Sequence, residues 1–247
     1  MESVVLPDTS LCAIIRDEKM NPAGGIERFI DAHVPYVEEA VIADTGSVDG
    51  TREILEEMKK KYSNLKVVDI PFNGYADARN KSLTHVKTKR ALILDADELL
   101  THEKPQNDWE IIKKFIEEHP SKTYQFFFDV ISPVRIDRNT SWGHGLRLFD
   151  ASAFENPFRK AIWECFNLPS TELRPVHISK VSIKHFVPSD KAANLKSKNW
   201  YNTEFSVYDV PIVQLEETIS NWQKIPPSRR EGFFLWKKYN PIRDRYI

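Results

Sequence analysis

The chain of 247 residues is poor in cysteine and glycine, and it carries almost no net charge. Two cysteines cannot form a disulfide framework, and their apolar neighbours favour buried thiols in a reducing compartment. With 8 glycines and 41% apolar residues, the composition excludes a low-complexity or disordered chain. The 35 basic residues balance 36 acidic ones, which argues against nucleic-acid binding by bulk charge and leaves only a local basic patch.

The sequence also lacks long apolar runs. No stretch approaches the ~18 apolar residues of a membrane span, and residues 1–7 lack the basic start and apolar run of a secretory signal. We therefore expect a cytoplasmic protein with no transmembrane segment. A basic, aromatic tail at 226–247 is expected to pack on the domain as an amphipathic helix. Peripheral contact with the inner membrane face, or with a dimer partner, is the alternative.

Strand-like and helix-like segments alternate over the first 100 residues. Short, continuous apolar runs predict strands buried on both faces, and apolar residues at helical spacing predict helices between them. The strands are expected at 11–15, 39–43, 66–70 and 91–94, and the helices at 26–33, after a capping Asp49, and at 76–86. This βαβαβαβ order predicts an α/β fold with a mainly parallel central sheet flanked by helices.

The pattern becomes mixed after Asp97. Apolar spacing predicts a helix, then three strands, then two more helices before a break at Pro226 and Pro227. The helix is expected at 109–118, the strands at 124–131, 145–149 and 176–187, and the later helices from Ser189 to about 207 and at 213–223. We interpret this half as a mixed extension of the first sheet, so that residues 1–225 form one domain.

Charged residues follow the predicted strands directly. Ligands of parallel α/β sheets bind outside the carboxyl ends of the strands, so these residues are the first candidates for a site. They are Arg16, Asp17 and Glu18 after the first strand, Asp44 after the second, and Asp95, Asp97 and Glu98 after the fourth.

Asp95 and Asp97 form an Asp-x-Asp pair. On an extended chain the two carboxylates point to the same side, and acidic groups at one edge repel each other unless a cation neutralises them. Mg²⁺ or Mn²⁺ suits such a site, with phosphate oxygens and water completing the coordination. An isolated Asp-x-Asp is more often a solvated turn, but this pair follows an apolar strand and three βα units.

Four short blocks follow one another in order: LCAIIRDE at 11–18, VIADTGSVDGT at 41–51, ARN at 78–80 and LILDADE at 92–98. Together they resemble the motifs of family 2 glycosyltransferases with the GT-A fold, and most of all bacterial transferases acting on surface polysaccharide or lipopolysaccharide core. Later segments resemble the same family less firmly. They are the glycine-containing loop at 143–149, an acidic catalytic position at 163–164 and a late histidine at 183–186.

The resemblance implies an inverting, metal-dependent glycosyltransferase. Its donor would be a nucleotide-diphosphate sugar, with a UDP-sugar favoured, its acceptor a hydroxyl of a glycan or glycolipid, and its metal Mn²⁺ or Mg²⁺. The family fold implies a Rossmann-like GT-A domain over residues 1–225, with a nucleotide-binding half at 1–100 and an acceptor-side half at 101–225.

The resemblance also implies which residues contact the nucleotide. Ile15 and Asp17 at the end of the first strand belong to this set. Asp44 would accept a hydrogen bond from the nucleobase, most simply from N3–H of uracil. Arg79 would lie near the nucleotide with charge-assisted donors, and Asp95 would contact the ribose or a metal-bound water. A structural ion pair with Asp77 or Glu98 is the alternative for Arg79.

The implied metal site consists of Asp97 and His185. Asp97 would coordinate the metal that bridges the diphosphate, and His185 would complete the metal or diphosphate site. Because His185 falls in a strand-like segment, a hydrogen-bonded core histidine is the alternative.

The implied general base is Glu164, facing the acceptor. A surface charge beside Cys165 is the alternative for Glu164. The sequence departs from its look-alikes here, since Trp163 stands where they often have histidine, and Trp163 could instead stack on a sugar face. Competing acids for the base are Asp129, Asp137 and Asp150, of which Asp150 ranks next because it ends a strand-like run.

Two other function classes compete with a transferase. In phosphatases with an aspartate nucleophile the Asp-x-Asp pair normally closes the first strand, whereas this pair closes the fourth and is followed by Glu98 and Leu99. That class is therefore rejected. A non-catalytic module that binds a nucleotide-sugar or a glycan on a degenerate transferase fold remains the alternative.

Overall fold

The computed structural model describes residues 5–19, 21, 23–101, 107–131, 136–140, 145–159, 165–166 and 175–186. The helices in these ranges are α1 (Ile26–His33), α2 (Thr51–Lys61), α3 (Tyr75–Leu83) and α4 (Asp108–Glu118). The strands are β1 (Leu6–Ile15), β2 (Val37–Asp44), β3 (Leu65–Asp69), β4 (Arg90–Ile93), β5 (Glu98–Leu99), β6 (Thr123–Ile131), β7 (Ile136–Thr140), β8 (Leu146–Asp150), β9 (Phe158–Arg159), β10 (Cys165–Phe166) and β11 (Val176–Phe186).

One sheet runs through both halves of the described chain. Its strand order is β3-β2-β1-β4-β8-β6-β11-β5, and β7 pairs with β6. The strands β1 to β4 are mutually parallel, as are β6 and β11. The antiparallel strand β8 lies between β4 and β6 and so joins the two halves. The α/β fold with a central, mainly parallel sheet and a mixed extension is therefore confirmed.

Helices cover both faces of the sheet because the strands of the first half are apolar on both faces. In β1, Leu11, Ala13 and Ile15 pack in the core cluster with α1, α2 and α4. Cys12 and Ile14 point to the opposite face, where Ile14 packs in a cluster with residues of β2 and α3. Period-two alternation of side chains places them on opposite faces, and burial of each set stabilises one helical layer.

The structure confirms the predicted strands and helices between residues 11 and 186 to within a few residues. The strand β1 begins at Leu6, earlier than predicted, because residues 7–10 lack the apolar run on which the prediction depended. Some of their polar side chains are nevertheless buried, with hydrogen-bond partners. Ser10 is an example: its hydroxyl donates to Glu39 at 2.7 Å. The strands β5, β7, β9 and β10 were not predicted, since runs of two to five residues carry little periodic signal.

The predicted N-cap of α2 is wrong by one residue. Gly50 occupies the cap position with φ of 97°, a left-handed conformation that favours glycine. Asp49 still serves the helix start, because its Oδ1 accepts a hydrogen bond from the backbone N–H of Thr51 at 2.9 Å.

Several predictions fall outside the described residues. They are the helices after residue 187, the tail at 226–247, the domain boundary at 225, Glu164 and Trp163. In the part of the chain that the structure describes, no helix is long and apolar enough to span a membrane.

Candidate active site

The acidic residues predicted from the sequence converge on one edge of the sheet. Parallel pairing of β1 with β2 places Ile15 beside Asp44, and pairing of β1 with β4 places Cys12 beside Ile93. The carboxyl ends of these three strands therefore lie side by side. The strand β11 also reaches this edge, where His185 pairs with Glu98 of β5.

Asp44 and Asp17 shape the loop between β2 and α2. One oxygen of Asp44, Oδ1, accepts hydrogen bonds from the backbone N–H of Gly46 at 3.0 Å and of Ser47 at 2.8 Å. Oδ1 of Asp17 accepts a hydrogen bond from the backbone N–H of Val48 at 2.7 Å. The hydroxyl of Ser47 links the two ends, accepting from the backbone N–H of Asp17 at 2.9 Å.

Each of these two aspartates keeps one oxygen outside this network. Among the described residues, Oδ2 of Asp44 receives no hydrogen bond, and Oδ2 of Asp17 is buried without a partner. Burial raises the pKa of Asp17 above its usual value, and the hydrogen bond from Val48 opposes that effect. Each side chain therefore has one oxygen that its own loop does not use, and that of Asp17 is buried.

Ile15 has no comparable group. Its side chain is 1% exposed and lies in the core. Its carbonyl oxygen accepts hydrogen bonds from both the backbone N–H and the hydroxyl of Thr45, each at 2.9 Å. The structure therefore shows Ile15 packed in the core, and its predicted nucleotide contact stays a prediction.

Residues 95–98 form a turn, which we call the acidic turn. The backbone N–H of Glu98 donates to the carbonyl of Asp95 at 2.9 Å, which closes the turn. The prediction that Asp95 and Asp97 stand on an extended segment is therefore wrong. The turn sends Asp95 toward arginines and Asp97 toward His185.

Asp95 lies between two guanidinium groups. Arg79 of α3 is 2% exposed and donates a hydrogen bond from Nη2 to Oδ1 of Asp95. Nη2 of Arg147, on β8, lies 3.5 Å from Oδ2 of Asp95. Burial alone would raise the pKa of Asp95, but the two guanidinium groups outweigh it and hold that pKa well below its usual range. This ion pair joins Arg79 to Asp95, whereas Asp77 or Glu98 was the predicted alternative. Asp77 pairs instead with Lys81.

Asp97 and His185 face each other across the edge. Their Oδ2 and Nε2 atoms are 3.7 Å apart, an ion-pair distance that is too long for a hydrogen bond. Burial lowers the pKa of His185, but the carboxylates of Asp97, Glu98 and Asp95 outweigh it and raise that pKa to about 9. The protonated imidazole therefore balances the acidic turn.

A divalent metal, which the sequence resemblance implies, fits this pair as an incomplete site. The described residues contain no group of three or more candidate ligands. A carboxylate and an imidazole this close can both contact one cation once the imidazole has lost its proton. Mg²⁺ and Mn²⁺ accept few protein ligands when phosphate oxygens and water supply the rest.

Comparison with known proteins identifies the family. The sequence model described as "Glycosyl transferase family 2" matches residues 23–168. The chain belongs to this family.

Solved structures of TarS from S. aureus share the fold of this family 2 chain. One superposes with a TM-score of 0.54 at 14% identity and covers 89% of this chain, which spans 44% of that protein's length. TarS residues 1–349 in complex with UDP give 0.55 at 13% identity, covering 97% of this chain and 83% of the other. The complex with UDP-GlcNAc gives 0.53 at 12% identity, covering 94% and 71%.

Glu164, the general base that family 2 resemblance implies, lies outside the described residues. Its runner-up Asp150 is at the wrong end of the sheet, because it pairs with Arg90 at the amino end of β4. Asp129 lies at the correct end, and its Oδ2 is 3.5 Å from Nζ of Lys184. The side chain of Asp137 is outside the described set.

Sequence reasoning named Glu98 only as one charged residue at a strand end, and it missed the contact of Glu98 with Arg147 in this family 2 site. Glu98 is fully buried, and burial raises its pKa to about 7 against the opposing effect of Arg147. Arg147 was only part of the glycine-containing segment 143–149. No sequence signal shows their contact, since it depends on β8 lying beside β4 in the sheet.

Proposed function

We propose that this family 2 glycosyltransferase is an inverting, metal-dependent enzyme that moves a sugar from a UDP-sugar to a hydroxyl of a glycan or glycolipid. The observation that carries the proposal is the convergence of Asp44, Asp97 and His185 on one sheet edge of a family 2 domain. TarS, whose structures contain UDP and UDP-GlcNAc, supports a uridine donor by its similar fold.

The nucleotide end of the donor fits the edge formed by β1 and β2. Oδ1 of Asp44 is used by the loop, while Oδ2 is left to accept the imino N–H of uracil. Asp17 adds a buried carboxylate oxygen without a hydrogen bond, which a donor of the nucleotide would reach only if the loop between β2 and α2 shifts. Arg79 and Asp95 form a fixed ion pair that borders the ribose and diphosphate end.

The diphosphate end fits the acidic turn. A bound metal would neutralise the charge that develops on the departing diphosphate. Asp97 and His185 would hold that metal, and His185 would give up its proton to do so. Asp95 contributes charge balance at the edge and no metal contact, because both of its oxygens face arginines.

Inversion requires a base on the face of the sugar opposite the diphosphate. Asp95 and Asp97 lie on the diphosphate side, so a carboxylate from the second half must serve. We assign this role to Glu164, on the family resemblance of its segment and its order in the chain. Asp129 is the competing acid at the correct end of the sheet.

The base assignment predicts the behaviour of Glu164→Gln. The amide keeps the size of the side chain and removes its basicity, so transfer should fall by about 10²–10⁴-fold. The Kd for UDP, measured by calorimetry, should stay unchanged. Asp150→Asn is the matched control, because Asp150 lies at the opposite end of the sheet and should transfer as wild type does. Normal transfer by Glu164→Gln would move the assignment to Asp129.

Hydrolysis of nucleotide sugars tests the function as a whole, since many transferases slowly transfer to water. Wild-type protein is incubated with UDP-, GDP- and other nucleotide-linked sugars, with Mn²⁺ or with EDTA, and released nucleotide is quantified. We expect release from a UDP-sugar with Mn²⁺ only. Binding of UDP with no release from any donor, and no transfer, would instead support a non-catalytic binding module.

A further inference from the structure

We propose that Arg147 is a positioning residue of the acidic turn: it fixes Glu98 and Asp95 so that Asp97 faces His185. The inference rests on the proposed function, because it concerns the metal-dependent step of donor binding. Arg147 itself touches neither Asp97 nor His185 in any described contact, so it would act through its neighbours.

The sheet order brings Arg147 to the turn. The strand β8 runs antiparallel to β4, and its last paired position there joins Leu148 to Leu92. The next step along the two strands brings Arg147 level with Ile93, where β4 ends. An arginine at this position reaches residues 95–98, although it lies about 50 residues further along the chain.

A single nitrogen of Arg147 joins two carboxylates. This atom, Nη2, is 2.5 Å from Oε1 of Glu98 and 3.5 Å from Oδ2 of Asp95. The other oxygen of Glu98, Oε2, accepts a hydrogen bond from the backbone N–H of Asp95 at 2.9 Å. Arg147, Glu98 and Asp95 therefore form a closed network across the turn.

The burial of Glu98 makes this network depend on Arg147. Glu98 is 0% exposed, and a buried carboxylate without a cation is strongly unfavourable. The guanidinium of Arg147 also lies over the ring of Phe128, 5.1 Å from its centre. Nε of Arg147 has no acceptor among the described residues, so the described hydrogen bond of this guanidinium is the one from Nη2 to Glu98.

Other contacts hold the backbone of the turn, and Arg79 holds one oxygen of Asp95. The carbonyl of Asp97 accepts from the backbone N–H of Phe186 at 2.9 Å, and the carbonyl of Ala96 accepts from Nδ2 of Asn21 at 3.0 Å. Loss of Arg147 would leave these bonds in place. Glu98 would lose the cation at its Oε1 and Asp95 the cation at its Oδ2, and the charge that faces Asp97 would change with them.

A purely structural ion pair is the competing explanation for Arg147. Under that explanation Arg147 does no more than neutralise Glu98, and removal of both charges restores everything that removal of one destroys. Under the positioning explanation stability returns in the double variant, but metal binding does not.

The test compares Arg147→Gln with the double variant Arg147→Gln, Glu98→Gln. Arg52→Gln is the matched control, since Arg52 is a partly exposed arginine of α2 that pairs with Asp69 at 2.8 Å. For each protein, UDP binding is measured calorimetrically over a Mn²⁺ series and in EDTA, and thermal unfolding is recorded without ligand.

We expect the Mn²⁺ concentration for half-maximal UDP binding to rise about 10- to 100-fold in both Arg147 variants, as for groups that orient metal ligands. UDP binding in EDTA should not change, and Arg52→Gln should match wild type. Recovery of the wild-type Mn²⁺ dependence in the double variant would overturn the inference. If the single variant does not fold, the double variant decides, because it contains no uncompensated buried charge. Wild-type binding that is independent of Mn²⁺ would overturn the proposed function, and this inference with it.

Discussion

The acidic residues at the sheet edge have four different electrostatic environments. Asp95 lies between two arginines, and Asp97 faces a histidine. Asp44 uses one oxygen to hold its own loop, and Asp17 is buried with one oxygen unpaired. We therefore expect these identical side chains to perform different tasks, which substitutions should separate.

Asp44→Asn should weaken UDP binding even at saturating Mn²⁺. Asparagine keeps an oxygen for the backbone N–H groups of the loop, but it presents NH2 where Oδ2 would accept the nucleobase N–H. We expect a loss of about 1–3 kcal/mol, or roughly 5- to 150-fold in Kd, for one hydrogen bond to a charged acceptor. Calorimetry with UDP measures it.

Asp69→Asn controls for the loss of one negative charge, because Asp69 is the exposed partner of Arg52. It should bind UDP as wild type does. An unchanged UDP affinity in Asp44→Asn would give Asp44 a role in the loop alone.

At the scale of elements, the strand β1 is buried on both faces and packs against the helices that cover them. Cys12 of this strand is 0% exposed, and its Sγ lies 3.1 Å from the hydroxyl of Ser82 on α3. Burial raises the pKa of the Cys12 thiol to about 11, and the contact with Ser82 opposes that effect.

Cys12 should therefore resist alkylation while the protein is folded. A free thiol with a pKa of about 8.5 becomes reactive between pH 7.5 and 9.5. Cys12 keeps its proton in the folded state until the pH approaches 11, so its labelling by iodoacetamide should stay slow over that range. The variant Cys165→Ser leaves Cys12 as the reporter, and mass spectrometry measures the label. Labelling in native protein at the rate found in guanidinium would show that β1 is not buried as described.

The pairing of β6 with β8 requires a glycine at position 145. A Cβ there would lie 2.7 Å from Cγ of Gln125 and 2.9 Å from the carbonyl oxygen of Phe126. Gly145→Ala should therefore destabilise the fold by about 1–3 kcal/mol through overpacking. Urea unfolding measures the change.

The double variant Gly145→Ala, Gln125→Ala removes the side-chain clash and leaves the backbone one. It should recover only part of the loss. Unchanged stability in Gly145→Ala would mean that the strands separate at this point without cost.

At the scale of the whole molecule, the sheet unites residues that the sequence treats separately. Periodicity predicted the α/β fold, because β1 to β4 contain short, continuous apolar runs with amphipathic helices between them. It also predicted that Asp44, Asp95 and Asp97 would meet, because parallel strands share a carboxyl edge. Family resemblance added Arg79 and His185.

The features that could not be predicted from the sequence depend on contacts between residues that are far apart in the chain. The position of Asp95 between Arg79 and Arg147 follows from a turn that joins three separate elements of the fold. The short strand β5 exists because β11 pairs with it, and not because of its own residues. Pairing order in a sheet is not encoded in local periodicity, so the role of Arg147 became visible only in three dimensions.

The most direct test of the central claim is calorimetric titration of UDP into wild type and Asp97→Ala, with Mn²⁺ and with EDTA. The account predicts that wild type binds UDP more tightly with Mn²⁺ and that Asp97→Ala loses this enhancement while still unfolding cooperatively, because removal of one carboxylate from a crowded acidic edge does not disturb the core. Asp69→Asn should behave as wild type. An enhancement by Mn²⁺ of equal size in Asp97→Ala would contradict the assignment of the metal to Asp97 and His185.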